Sequence, residues 1–77
     1  MYLEIITPDT KIFSGEIRLI QVPGTKGSFA ILRNHAPIIS TLEPGKIRII
    51  TQNGEENFFT IDGGIIEVKD NKVIVLA

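Results

Sequence analysis

The segment Val22-Pro23-Gly24-Thr25-Lys26-Gly27-Ser28-Phe29-Ala30-Ile31-Leu32-Arg33-Asn34-His35-Ala36-Pro37 decides how this chain is read. Pro23 presets φ and the flanking glycines accept backbone angles closed to other residues, so Gly24 to Gly27 reads as a projecting hairpin tip. A phosphate-binding loop would place its lysine after the second glycine and open a helix. Here Lys26 precedes Gly27, and Gly27 to Leu32 reads as a strand. Arg33-Asn34-His35-Ala36 is then a corner leading to the next strand, Pro37 to Leu42. The segment supplies turns between short strands and no catalytic apparatus.

The same pattern continues in both directions. Tyr2 to Thr7 reads as a strand ended by Pro8-Asp9, Lys11 to Phe13 as a short second one, and Ser14-Gly15 as the turn into Glu16 to Val22. Beyond Leu42-Glu43-Pro44-Gly45, Lys46 to Gln52 runs to Asn53-Gly54, which predicts a type I′ hairpin because both residues tolerate positive φ. Glu56 to Ile61, Gly64 to Lys69 and Lys72 to Leu76 follow, the last two joined through Asp70-Asn71. Short strands spaced by turns indicate a sandwich or barrel. Fifteen isoleucines and four valines against five leucines and three alanines favour half-buried pleated surface over helix. The fold class is all-β.

Seventy-seven residues make one domain, spanning 1–77. Such a chain buries roughly 60% of the surface it exposes unfolded. There is no cysteine to add a disulfide or thiolate metal site. A net charge of −1 without charge blocks lacks the cationic excess that neutralises phosphates, so no nucleic-acid partner is expected. The N-terminus shows no signal-peptide pattern, and no apolar run reaches the ~20 residues of a membrane span; no direct membrane insertion is expected.

Five adjacent apolar pairs lie inside strands: Ile5-Ile6, Ile38-Ile39, Ile49-Ile50, Phe58-Phe59 and Ile65-Ile66. Successive strand residues point to opposite faces, so one core takes only one of each pair. Bulges, corners and scattered surface apolars account for this in one way. A second apolar face covered by a partner accounts for it in another.

His35 is the only histidine, and Ser14, Ser28 and Ser40 lack the strained elbow of a nucleophile. His35 reads as a corner residue whose ring bonds the backbone or a partner. No catalytic residue, cofactor or metal site is expected. Glu55-Glu56 reads as a solvated tip, and Gly63-Gly64 as a bulge or close approach.

The order Val22-Pro23-Gly24, Gly27…Ile31-Leu32, Asn34-His35-Ala36-Pro37, Leu42…Pro44-Gly45, Gly63-Gly64…Glu67-Val68 and Val73-Ile74-Val75-Leu76-Ala77 resembles the N-terminal β-sandwich domain of the F-type ATP synthase epsilon subunit. Phe13-Ser14-Gly15 agrees with it. The resemblance implies a two-layer antiparallel sandwich of about ten short strands. It implies a non-catalytic rotor subunit at the foot of the central stalk, joining the gamma subunit to the polar loops of the c-ring and coupling ion translocation to ATP synthesis. It places such a protein peripherally on the cytoplasmic face of the cell inner membrane. By the same analogy Thr7, His35, Ala36, Ile38 and Ser40 would meet gamma, and Gly24, Thr25, Lys26, Gly27 and Ser28 would meet the ring. Two positions depart from the family's habit, Ala30 for glycine and Arg33 for proline. The helical hairpin that usually follows the Val-Leu-Ala strand is absent from this sequence, so its inhibitory and nucleotide-binding roles are not carried over. The alternative is a small β-barrel binding an oligonucleotide or another ligand, for which Phe58-Phe59 is the one suggestive feature.

Overall fold

A computed structural model describes residues 1–77, all of it strand and turn. Six strands form one sheet: β1 (Tyr2–Ile6), β2 (Lys11–Gly24), β3 (Gly27–Leu32), β4 (Ile38–Thr51), β5 (Glu56–Lys69) and β6 (Lys72–Leu76). Their order is β1-β6-β5-β4-β2-β3, and a β1–β2 pairing closes the first five into a barrel-like ring with β3 outside it. Only β1 and β6 run parallel.

The sequence expectation of about ten short strands in a two-layer sandwich is corrected here. The strands β2, β4 and β5 are 14 residues each, and each was read as two. The turn residues bend these strands without ending them, because the bends face one another. Gly64 sits opposite Leu42, Pro44 opposite Asp62 and Gly45 opposite Ile61, so β4 and β5 turn the same corner with their ladder intact. Likewise Gly15 stays paired with Leu3. Gly64, at φ 148°, is the tightest point: a Cβ there would run into the carbonyl oxygen of Leu76.

The hairpin expectation at Asn53-Gly54 also changes. Gly54 has φ 86° while Asn53 does not have positive φ. The Gly54 N–H donates to the Thr51 carbonyl at 2.9 Å and the Thr51 N–H to the Glu55 carbonyl at 2.8 Å. This is a longer loop in which glycine alone takes the left-handed position. The two-residue turn with both φ positive is Asp70-Asn71, at 52° and 61°.

The bends define two ends. At one lie the Gly24–Gly27 hairpin, the β4 and β5 corners and Ala77, whose N–H donates to the Ile6 carbonyl at 2.8 Å. At the other the Met1 ammonium meets Glu16 at 3.1 Å, and the Asn34 N–H donates to Asn71 Oδ1 at 3.0 Å. Between them a core of fifteen buried apolar residues takes Leu3, Ile5, Ile20, Ile31, Ile47, Ile49, Ile66, Val73 and Val75 entirely out of solvent. At about 25 cal/mol per Å² of apolar surface, these side chains are the main favourable contribution to folding.

Candidate docking site

The apolar pairs fall as the strand period requires. Ile5, Ile49 and Ile66 are buried, and Ile38 and Phe59 pack against the core. Their neighbours Ile6, Ile39, Ile50, Phe58 and Ile65 face outward, with Ile39 71% exposed and Phe58 55% exposed. Residues opposite each other in a ladder share a face. Thr41, Ile65, Leu76 and Ile6 form one row across β4, β5, β6 and β1, and Ile39, Glu67, Ile74 and Glu4 the next. Three of the five pairs thus contribute to one wall, on which Ile39, Ile65 and Leu76 are exposed and Ile6 and Ile74 half-buried. The other two outward members, Ile50 and Phe58, lie on the opposite wall near Leu19 and Leu32.

Beside the first wall runs an open groove of about 600 Å³. It lies between the edge of β3 and the first half of β4, and is lined by Gly24–Phe29 and Ile38–Thr41. The fold therefore gathers all five expected tip residues, Gly24, Thr25, Lys26, Gly27 and Ser28, with two of the five expected gamma contacts, Ile38 and Ser40. The Thr25 and Thr41 hydroxyls lie 2.8 Å apart, and the Thr25 N–H donates to the Thr41 carbonyl at 3.1 Å, closing one end. Gly24 is needed for this approach, since a Cβ would stand 2.7 Å from the Gly27 carbonyl oxygen and from the Phe29 ring.

The other expected contacts sit elsewhere. His35 and Ala36 occupy the turn before β4, exposed at the far end from the tip. The His35 N–H donates to the Leu32 carbonyl at 3.2 Å, and its Nδ1 lies 2.7 Å from the Ala36 carbonyl oxygen. That oxygen can only accept, so Nδ1 carries the proton. The ring bonds its own backbone. Thr7 is at the opposite margin of the apolar wall, where it closes the Pro8–Asp9 turn through Thr10. It adjoins Ile6, three strand spacings from Thr41, or about 14 Å. Sequence reading missed Phe29, Ile39 and Thr41, though the Ile38-Ile39 pair carried the signal for Ile39.

No serine hydroxyl bonds to His35: Ser28 Oγ accepts from Gln21 and Ser40 Oγ donates to the Thr41 carbonyl. A larger depression of about 790 Å³ at the far end is lined by Met1, Glu16, Arg18, Arg33, Asn34 and Gln52 among others, without a nucleophile and base in contact. Nor do three histidines or carboxylates cluster. Phe58 stands beside Arg48, but that guanidinium is held by Glu56 at 3.0 Å and by Gln21, so its charge is matched. The Glu4–Lys11 ion pair lies on the wall. A hydrogen bond from Lys11 at 2.9 Å holds the Glu4 carboxyl below its usual range, against partial desolvation and with help from the Lys11 and Lys72 charges. The same bond raises Lys11.

Two solved structures share the architecture. The chain superposes on a chain of the Euglena gracilis mitochondrial ATP synthase, resolved with OSCP, F1 and c-ring in rotational state 1, with a TM-score of 0.91 at 23% identity. Against a chain of the Tetrahymena thermophila mitochondrial ATP synthase central stalk and c-ring, the TM-score is 0.81 at 20% identity. Each match takes in 97% of this chain but 48% and 60% of the other, so the chain spans about half the length of the proteins it resembles. At these identities the likeness is one of fold. The family follows from sequence: a family model described as ATP synthase, delta/epsilon chain, beta-sandwich domain matches residues 1–77 from end to end, and the chain belongs to that family.

Proposed function

We propose that this chain is a non-catalytic subunit of the ATP synthase central stalk, fastening the gamma subunit to the c-ring and so coupling ion translocation to ATP synthesis. Family membership supplies the complex. The observation that carries the docking role is the wall of exposed Ile39, Ile65 and Leu76, with half-buried Ile6, beside the groove. A contiguous exposed patch on so small a domain is characteristic of an interaction surface. Gamma covers this wall and the groove, meeting Ile38 and Ser40, while Thr7 marks the far margin. The polar tip Gly24, Thr25, Lys26, Gly27 and Ser28 projects to the ring's polar loops. His35 and Ala36 belong to the gamma contact at its far end. The domain transmits torque as a rigid body, because its faces are held by one continuous six-stranded sheet. It works at the cytoplasmic face of the inner membrane as a peripheral component, without inserting.

Co-purification with gamma tests this. The folded chain is expected to bind gamma at micromolar concentration or tighter and to carry it onto the c-ring. Failure to retain gamma at that concentration, with folding verified by circular dichroism, overturns the reading.

A further inference from the structure

We infer that the groove accepts an extended peptide strand, flanked by acidic residues, that adds to the free edge of β3. The inference rests on the reading of this groove as the docking surface and names the chemistry of what fills it.

The ring of strands leaves two seams, and the sequence treats them oppositely. At the first, the unpaired edge of early β2 faces that of early β5. Both edges carry charge, Lys11 and Glu16 on one and Glu56 on the other. Phe13 and Phe59 plug this seam with ring centroids 5.7 Å apart. Charged edges and a plugged gap are the usual defences against strand addition. At the second seam, β3 and Ile38–Thr41 carry no charge and no proline, and β3 has no bulge. The groove there is open, with Phe29, Ile38 and Ile39 as its apolar lining.

The β3 edge is also oriented for bonding. Pro23, which has no N–H, stands opposite Ser28, and antiparallel pairs alternate between bonded and unbonded. The N–H groups of Ser28, Ala30 and Leu32 therefore point away from β2. Leu32 shows the same orientation, its carbonyl accepting from His35 and not from β2. Strand addition draws affinity from such main-chain groups and selectivity from side-chain pockets alongside.

Charge names the occupant. Lys26 and Arg33 bracket the uncharged strand, both exposed and neither ion-paired. A second copy pairing antiparallel through β3 would bring Lys26 of one chain beside Arg33 of the other. The complementary strand instead has an acidic residue near each end and an apolar residue over Ile39.

The test is amide hydrogen exchange on the chain bound to gamma, with a peptide of alternating valine and threonine bearing aspartates at both ends as a second probe. Exchange at Ser28, Ala30 and Leu32 is expected to slow by about tenfold or more, as for newly buried main-chain bonds. Ala30→Pro should weaken binding by about tenfold, since it removes one outward N–H at an edge position that tolerates proline, while Ala30→Val binds as the wild type. Lys26→Glu with Arg33→Glu should weaken both probes and remove their salt dependence. Gamma bound with these amides exchanging freely overturns the strand and leaves the stalk role intact. Gamma unbound while the peptide protects β3 overturns the stalk role and keeps the strand. Protection that rises with chain concentration alone assigns the edge to self-association and overturns the proposal, as does the absence of protection by either probe.

Discussion

At the scale of single residues, two glycines of similar appearance in the sequence carry different constraints. Gly64 combines φ 148° with the Leu76 carbonyl where its Cβ would be, and the Ala77 Cα 3.0 Å away. Gly64→Ala must push β6 off β5, and is expected to cost about 2–4 kcal/mol in urea unfolding. At Gly15 a Cβ would meet only the Phe13 ring at 3.5 Å, an ordinary contact. Gly15→Ala is expected to stay within about 1 kcal/mol of wild type or gain slightly through the unfolded state. Equal costs for the two would contradict the corner geometry. The Glu4–Lys11 bond makes a pH prediction with two limbs. Because the folded Glu4 is more acidic than usual, its contribution is present above the ordinary carboxylate range and is lost as pH falls through its lowered value. Because the folded Lys11 is raised, the same bond contributes below the ordinary lysine range and is lost as pH climbs through its raised value. The thermal midpoint of Glu4→Gln should vary less with pH at both extremes than that of the wild type.

At the scale of the elements, the seam between β2 and β5 has no hydrogen-bond ladder and relies on Phe13 and Phe59. Phe13→Ala is expected to destabilise by about 2 kcal/mol, below the 3–5 typical of a wholly buried phenylalanine because this ring is partly exposed. Calorimetry would check it, and a change under 0.5 kcal/mol would mean the seam closes without the ring. Element reading from sequence succeeded where the side-chain period carried the information. Strand positions, the division of each apolar pair between two faces, and the Arg33–Ala36 corner followed from local pattern, whereas which member faces outward did not: Ile38, expected at the partner surface, packs against the core and Ile39 is the exposed one. Strand number did not, because Leu42-Glu43-Pro44-Gly45 and Asp62-Gly63-Gly64 signal a turn whether the chain reverses or both partners bend together. That choice depends on the register between β4 and β5, which is non-local. Asn53-Gly54 was misread for a related reason: a dipeptide that permits two positive φ values does not require them. Of the candidate site, the tip and Ile38–Ser40 converge through the β2–β4 pairing of Gly24 with Leu42, a contact eighteen positions apart that no local motif encodes.

At the scale of the whole molecule, docking and folding are separable because the apolar pairs divide the work. Ile38 packs against the core, so Ile38→Asp would lose binding and stability together. Its neighbour Ile39 is 71% exposed on the wall, and a charge there leaves the core untouched. Ile39→Asp is therefore expected to shift unfolding by no more than about 0.5 kcal/mol. If gamma covers the wall, the same change forfeits burial of one isoleucine, about 1.5–3 kcal/mol, and weakens gamma binding roughly ten- to a hundredfold. Phe58→Asp, on the opposite wall and comparably exposed, is the control and should leave gamma affinity unchanged. Titration calorimetry with gamma distinguishes the two. Loss of affinity in Phe58→Asp with Ile39→Asp unaffected would move the docking surface to the β3-β2-β4 wall. Two apolar walls on one small barrel admit either placement by area alone; the groove, which Ile39 lines and Phe58 does not, is what assigns the partner to the Ile39 side.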